Sequence, residues 1–341
     1  MADQTSLIVG TYERLGGTGL VPLTLCGDSM TVAPFINGAP DASFGLWSSR
    51  WQRFFFVAEQ EPGRLVTCDA DLRTVGAEAA AGGAAPCHLA IDPDERLLAV
   101  ANYESGSVAL FRIDGGAMPS SPTAMRQLAG HGTDPDRQAG PHAHWVGFGG
   151  DGRWLYVVDL GTDAVLRLSV DREAATLGEA EIAYAAPAGS GPRHLAFHPA
   201  GRRAYLVSEL ASTLTVLDVD FRGTLTPVQT LSTLPNGASD SLGGAIVINA
   251  AADRLYVTNR GHDSIAVFAL NPDGATLVQT MASGGASPRF LLLLEGERRL
   301  LVANEEGGTV RQFGIEDDGR LERVGKPVEI PGAVFLARRP G

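Results

Sequence analysis

Ionisable side chains recur at two fixed points of a repeating stretch of this sequence. His144, Arg193 and Arg289 occupy the first point, and Glu209 and Glu305 occupy the second. A histidine or a glutamate can accept a proton, whereas an arginine stays charged and binds carboxylate or phosphate groups through its guanidinium fork. This combination suits proton transfer on a ligand that carries negative charge.

The repeating unit occurs six times, and its two points lie sixteen residues apart. The first points are Ser43, Cys87, His144, Arg193, Gly244 and Arg289. The second points are Glu59, Tyr103, Leu160, Glu209, Arg260 and Glu305. Successive units are 44 to 57 residues apart, which matches a propeller blade better than a helical solenoid repeat. Short runs of Val, Leu, Tyr and Phe between Gly, Pro, Asp and Asn predict a meander of antiparallel strands within each unit.

The two ends of the chain supply a seventh unit. Residues 7–12 resemble a second run, residues 19–23 a third run, and residues 333–336 a first run. Closing a ring with strands from both ends removes exposed sheet edges. The sequence therefore predicts an all-β, seven-bladed β-propeller closed by N- and C-terminal strands in one blade, with residues 1–341 as a single domain. Residues 79–85 and 132–140 are expected to be loops between blades.

Composition narrows the setting. The chain has 341 residues, of which 44% are hydrophobic, and it contains no apolar run of the roughly twenty residues that a membrane helix needs. A net charge of -12 disfavours nucleic-acid and acidic-membrane partners. Three cysteines without metal-ligand spacing indicate buried thiols in a reducing compartment, and residues 1–6 do not resemble a signal peptide. We therefore expect a cytoplasmic monomer or weak homo-oligomer.

Both points of a unit should lie on one rim of the disc, because the first two strands of a blade are antiparallel. Charged side chains from several blades would then surround one mouth of the central channel. One interpretation is a ligand site. The other is a set of satisfied ion pairs that plug the channel, with Arg193 and Glu209 as the obvious pair.

Three segments carry a resemblance to a known family. They read Gly-Pro-His-Ala-His-Trp at 140–145, Gly-Pro-Arg-His-Leu-Ala-Phe-His-Pro at 191–199, and Tyr-Val-Thr-Asn-Arg-Gly-His-Asp-Ser-Ile-Ala-Val-Phe at 256–268. In this order and spacing they resemble the seven-bladed propeller lactonases, which include the bacterial propeller-type 6-phosphogluconolactonase and the fungal 3-carboxy-cis,cis-muconate lactonising enzyme. The resemblance covers nearly the whole chain. It implies an active site made of His144, Arg193, Glu209 and Arg260.

The resemblance implies a hydrolase that opens 6-phosphogluconolactone to 6-phosphogluconate in the pentose phosphate pathway, without a cofactor. Either His144 or Glu209 would be the base that activates water, and Arg193 and Arg260 would bind the oxyanion or an acidic group of the substrate. Further contacts to this small anionic lactone or sugar acid are expected from Arg289, His142, Glu305 and Tyr103. His194, His198 and His262 are interpreted as structural histidines, and His88 and His131 carry no functional indication.

Alternatives remain open at this point. The same residues would suit another sugar-acid lactone or a carboxymuconate-type lactonisation, and a non-catalytic binding propeller is the alternative from a different class. Calcium on Glu59, Glu209 and Glu305 is disfavoured, since arginines at the same level would repel a cation. The family has an Ala-Asp-Ile-His-like segment before the blade of Arg260, whereas residues 243–248 read Gly-Gly-Ala-Ile-Val-Ile. A carboxylate and an imidazole are therefore missing there, which leaves the substrate open.

Overall fold

The computed structural model describes residues 4–36 and 38–340, and almost all of the regular elements in them are β-strands. In chain order the strands are β1 (Gln4–Thr11), β2 (Leu20–Cys26), β3 (Ser29–Val32), β4 (Gly45–Ser48), β5 (Arg53–Ala58), β6 (Arg64–Cys68), β7 (Ala79–Ala80), β8 (Pro86–Ile91), β9 (Leu97–Asn102), β10 (Ser107–Arg112), β11 (Ala124–Gln127), β12 (Ala143–Phe148), β13 (Trp154–Asp159), β14 (Ala164–Asp171), β15 (Thr176–Leu177), β16 (Glu181–Ala185), β17 (Pro192–Phe197), β18 (Arg203–Ser208), β19 (Thr213–Val219), β20 (Leu225–Ser232), β21 (Leu242–Ile248), β22 (Arg254–Arg260), β23 (Ser264–Asn271), β24 (Gly274–Ala282), β25 (Pro288–Leu294), β26 (Arg299–Asn304), β27 (Thr309–Ile315), β28 (Leu321–Arg323), β29 (Val328–Glu329) and β30 (Ala333–Arg338). A single 3-10 turn covers Glu13–Leu15. In the described part of the chain, no helix is long and apolar enough to cross a membrane.

The chain divides into two compact units. One comprises Met1–Pro40, His194–Asp218 and Pro227–Gly341, and the other comprises Asp41–Arg193 and Val219–Thr226. We call them the first and the second unit.

The second unit contains three antiparallel meanders. Their strand orders are β4-β5-β6-β7, β8-β9-β10-β11 and β12-β13-β14-β15, with β16 also paired to β14. The outer edge of the last sheet is thus split into two short strands, β15 and β16. The stretch from 79 to 85 was predicted to be a loop, but Ala79–Ala80 pairs with β6 and forms the outer strand of its sheet.

The first unit contains three further sheets and most of a fourth. Their orders are β30-β1-β2-β3, β17-β18-β19-β20, β21-β22-β23-β24 and β25-β26-β27-β28, with β29 also paired to β27. Leu336 pairs with Val9 across β30 and β1, so strands from both ends of the chain share a sheet as predicted. Seven such sheets constitute a seven-bladed β-propeller.

Alternation along the second strand of each blade builds the core. In β22, Leu255 and Val257 pack with Tyr205 of the preceding blade, while Tyr256 between them packs with Leu300 of the following blade. Side chains that alternate in this way give each sheet two buried faces, so each second strand contains an unbroken apolar run. These blades therefore provide a rigid support for the residues at the ends of their strands.

The cysteines only partly match expectation. All three are free thiols, and Cys68 and Cys87 are buried, but Cys26 is half-buried. Burial raises the pKa of the Cys68 thiol to about 11, so this side chain is an inert, protonated thiol at neutral pH.

Candidate active site

The first point of the repeat is a β-bulge. The pairing register between β12 and β13 shifts between Ala143 and Trp145, and the residue at the shift is His144. Equivalent shifts occur at Cys87 in β8 and at Arg289 in β25. A bulge places one extra residue in the strand and re-aims its side chain, and bulges are frequent beside active sites. His144 and Arg289 therefore both lie at a bulge, where the regular strand pairing is interrupted.

The second point adjoins the first within each blade. The backbone N–H of Tyr103 donates to the carbonyl of Ala85 at 2.9 Å, and the N–H of Glu305 donates to that of Ser287 at 2.8 Å. Each acceptor lies two residues before the first point of the same blade. This confirms the prediction that both points lie at the same end of a blade.

Aspartates in the turns between second and third strands hold the segments that precede the next blade. Asp163 adopts a left-handed conformation (φ 53°), and its carboxylate accepts the N–H of Gly191 at 2.8 Å, two residues before Arg193. Asp263 (φ 54°) accepts the N–H of Ser287 at 2.8 Å, at the approach to β25. Aspartate tolerates this backbone conformation better than most residues. The two carboxylates thus fix the backbone that leads into the arginine-bearing strands.

Three of the predicted site residues meet in the second unit. The ring of Tyr103 stacks on His142 at 4.5 Å between centroids and meets the edge of His144 at 5.3 Å. Nδ1 of His142 lies 3.1 Å from the carbonyl oxygen of Tyr103, which requires Nδ1–H as the donor and leaves Nε2 as the acceptor of the neutral ring. Arg137 reaches the Tyr103 hydroxyl at 3.4 Å. The structure thus brings His142, His144 and Tyr103 together in one aromatic cluster.

Arg193 is buried in the same unit, with 2% of its surface exposed. Near it lies His88, whose ring lies 4.0 Å from Phe44 and 5.5 Å from Trp145 between centroids. Burial and, second, the charge of Arg193 lower the pKa of His88 to about 3, so this imidazole is neutral. Nδ1 of His88 accepts the backbone N–H of Val146 at 3.4 Å. The sequence interpretation missed His88, although it directly follows a first point.

Glu209 and Arg260 form a buried ion pair in the first unit. Their side chains lie 2.5 Å apart, with 3% and 12% of their surfaces exposed. Nη2 of Arg260 also donates to the carbonyl of Gly243 at 3.0 Å. Within residues 4–36 and 38–340, Nε of Arg260 has no hydrogen-bond acceptor. Arg260 is thus a partner of Glu209 that the sequence interpretation, which named Arg193, did not include.

The glycines beside Arg260 explain the departure from the family pattern. A Cβ on Gly244 would lie 2.2 Å from Oγ1 of Thr258, and one on Gly243 would lie 2.6 Å from the carbonyl oxygen of Ser208. Neither position has room for a side chain. What this segment offers Arg260 is a backbone acceptor, the carbonyl of Gly243.

A second charged group in the first unit surrounds Glu305. Arg289 lies 3.4 Å from its carboxylate and donates to the hydroxyl of Tyr12 at 2.9 Å, while Arg14 pairs with the same carboxylate. Both guanidinium groups also lie over the Tyr12 ring, at 4.6 Å for Arg14 and 5.3 Å for Arg289. Two cations share one carboxylate, so the group keeps a net positive charge that suits an anionic ligand.

The carboxylates at the repeat positions could in principle bind a metal ion. Among the described residues, no group of three or more His, Cys, Asp or Glu side chains is placed to hold a metal ion. Glu209 and Glu305, two of the three carboxylates considered for calcium, each contact arginine instead.

Comparison with known proteins identifies the family. A model of the seven-bladed β-propeller lactonases matches residues 6–337, and the chain belongs to this family. A 6-phosphogluconolactonase of Bacillus subtilis (strain 168) is 34% identical over 259 residues, which cover 74% of this chain and 73% of that protein.

Two solved structures extend this likeness. A protein from Lactobacillus plantarum superposes with a TM-score of 0.90 at 27% identity, over 98% of this chain and 99% of its own. The periplasmic gluconolactonase of Pseudomonas aeruginosa superposes with a TM-score of 0.90 at 26% identity, over 99% of both chains. Similarity over whole chains supports a lactone hydrolase as the class of enzyme.

Proposed function

We propose that the protein hydrolyses an anionic sugar lactone, with 6-phosphogluconolactone as the substrate and 6-phosphogluconate as the product. The observation that carries this proposal is the set of arginines at the two points of the repeat in a chain of the lactonase family. A net charge of -12 makes clustered guanidinium groups unusual in this chain, and a phosphate or carboxylate is their natural ligand. With this substrate we place the protein in the cytoplasm and in the pentose phosphate pathway.

In the proposed reaction, His144 takes a proton from water while the water oxygen attacks the lactone carbonyl carbon. The carbonyl oxygen becomes an oxyanion, and we assign its stabilisation to Arg193. When the tetrahedral intermediate collapses, the ring C–O bond breaks and the proton passes from His144 to the departing alkoxide. The product is an open-chain hydroxy acid.

We assign the base to His144 rather than Glu209. The carboxylate of Glu209 lies 2.5 Å from Arg260, and an ion-paired carboxylate is a poorer proton acceptor than a neutral imidazole. In this assignment Glu209 orients Arg260, and Glu305 does the same for Arg289. Arg260 and Arg289 then hold the acidic group of the substrate.

His142 and Tyr103 complete the proposed site. Their rings stack on each other, and Tyr103 also meets the edge of the His144 ring. We propose that both residues contact the substrate beside the base. Their side chains can donate to, or accept from, the hydroxyl groups of a sugar lactone.

A panel of lactones assayed by acid release at constant pH tests this proposal. We expect 6-phosphogluconolactone to be preferred, and His144→Ala and Arg193→Ala each to lower turnover about a hundred-fold or more without unfolding the protein. His131→Ala, which removes an exposed histidine, is the matched control and should keep full activity. Wild-type protein that opens no lactone in the panel would disprove the proposal.

A neutral substrate is the second candidate. The Pseudomonas aeruginosa structure is a gluconolactonase, and Gly243 and Gly244 remove polar side chains from beside Arg260. The same panel separates the two, because unphosphorylated gluconolactone would then be opened at least as fast as its phosphate ester.

A further inference from the structure

The strand that carries His144 has an edge without a neighbouring strand. β12 is the terminal strand of its sheet, so the N–H groups on one side of it have no ladder partner in the described structure. A buried N–H group without an acceptor destabilises the fold, so such groups need partners from elsewhere. For Val146 this partner is a side chain of the preceding blade, His88.

His88 is suited to this contact because it is buried and neutral. Its Nδ1 must be unprotonated to accept the Val146 N–H at 3.4 Å. The ring has 7% of its surface exposed and lies between Phe44 and Trp145, which leaves little room for it to turn away. At 3.4 Å this hydrogen bond is longer than usual, so it alone adds little to stability, and the packing of the ring acts together with it.

A second contact comes from the residue before His88. Sγ of Cys87 lies 3.5 Å from the carbonyl oxygen of Ala143 and 3.4 Å from that of His144, within reach of a thiol donor. Cys87 is itself at a bulge in β8. Two consecutive residues of β8 therefore contact the backbone of β12 on both sides of the bulge, from 143 to 146.

We propose that His88, assisted by Cys87, is a positioning residue that holds the bulge of β12 and so aims the His144 imidazole. The proposal rests on the role given above to His144. A base must lie within hydrogen-bond reach of the attacking water, and a misplacement of about 1 Å can lower the rate by about 100-fold. Since the bulge sets the direction of His144, loss of the contact should lower turnover and leave substrate binding intact.

Two substitutions with opposite properties test this. H88F keeps a ring between Phe44 and Trp145 but has no acceptor, whereas H88N loses the ring but places an amide oxygen close to the former Nδ1. We expect H88F to lower kcat about ten- to a hundred-fold with KM within about two-fold of wild type, and H88N to stay within about three-fold in both. The reverse order would show that ring packing matters instead, and would overturn the proposal.

Amide hydrogen exchange at Val146 gives a readout that does not depend on activity. We expect exchange to be at least about ten-fold faster in H88F than in wild type and H88N. Unchanged protection in H88F would also overturn the proposal. If wild type opens no lactone, the proposed function fails while this measurement still decides whether His88 holds the strand. If H88F does not fold, H88Q serves as the variant without the contact. The amide of glutamine lies one bond further from the backbone than Nδ1 of histidine, so it cannot accept the Val146 N–H in the same place.

Discussion

Replacing Glu209 by glutamine removes the negative charge of the buried pair with Arg260. The shape and volume of the side chain hardly change. The two side chains have only 3% and 12% of their surfaces exposed, so water cannot replace the lost partner. Arg260 would keep the carbonyl of Gly243 at 3.0 Å as an acceptor but no counterion at that side. Breaking a buried ion pair from one side costs about 3 to 5 kcal/mol, and the partial exposure of Arg260 favours the lower figure of about 3 kcal/mol.

This cost can be converted to a melting temperature. Unfolding entropy of about 2.1 cal/mol/K per residue gives roughly 0.7 kcal/mol/K for 341 residues. A loss of about 3 kcal/mol therefore corresponds to a Tm lowered by about 4 °C. Scanning calorimetry of wild type and Glu209→Gln measures this shift directly.

A double-mutant cycle separates the pair from its surroundings. Arg260→Met keeps the length of the side chain but removes its charge, so Glu209 loses this ion pair while keeping its own charge. The double variant has lost both charges of this pair, and we expect it to be more stable than the sum of the two single changes by at least about 2 kcal/mol. Additive losses within about 0.5 kcal/mol would refute the view that Glu209 and Arg260 depend on each other.

The same variants report on catalysis. If His144 is the base, Glu209→Gln should keep turnover within about ten-fold of wild type, because glutamine still fills the space beside Arg260. Turnover reduced by about a hundred-fold or more, in protein that remains folded, would instead identify Glu209 as the base.

Three further outcomes are expected. Deletion of residues 332–341 removes Ala333–Arg338, which pairs with the N-terminal strand, so Tm should fall sharply; unchanged melting would contradict closure of the ring by both termini. Arg289→Ala should raise KM for 6-phosphogluconolactone about ten- to a hundred-fold but hardly affect neutral gluconolactone, with EDTA inert towards both; equal losses would place Arg289 in the scaffold. His88 has a pKa lowered from 6.5 to about 3, so the unfolded chain binds a proton that the folded chain does not. Between these values its contribution to stability should be lost by about 1.4 kcal/mol per unit as pH falls, and urea unfolding of H88N should lack this component.

The blade repeat could be predicted because it follows from burial. Every blade buries both faces of its second strand, so the same apolar runs recur at blade spacing, and the partial runs at the two ends complete a seventh set. The polar residues at the two points are visible against this background since a core position would not hold them. His144, Arg193 and Arg289 were found in this way.

Geometry below the level of the repeat could not be predicted. The bulge at His144 shifts the pairing of β12 with β13 by one residue. In a strand of only six residues, the alternation of apolar and polar side chains is too short to reveal such a shift. Ala79 and Ala80 have the composition of a loop but form a short outer strand, because an edge strand needs few apolar contacts. Outer strands carry the weakest pattern, and two of them are split.

The contact between Glu209 and Arg260 was also beyond the sequence. Arg193 and Arg260 both flank it in the repeat, and strand direction alone favours neither as a partner. The structure gives the pair with Arg260, where the Gly243 carbonyl supplies a second acceptor for the same guanidinium. That second acceptor is a backbone group, so the contact depends on strand placement that residue types alone do not reveal.

The first point of the repeat has a different role in different blades. Only some blades therefore present a reactive side chain there. At the first point, a histidine in one blade and an arginine in another are re-aimed by a bulge, whereas Cys87 at the equivalent bulge turns back to contact the strand of His144. Gly244 has no space for any side chain at all. A carboxylate could not be restored there by one substitution, because Thr258 and the backbone of the next blade would first have to move. The difference from the family pattern beside Arg260 is therefore fixed by packing, and a substrate preference that depends on it would change only with the backbone.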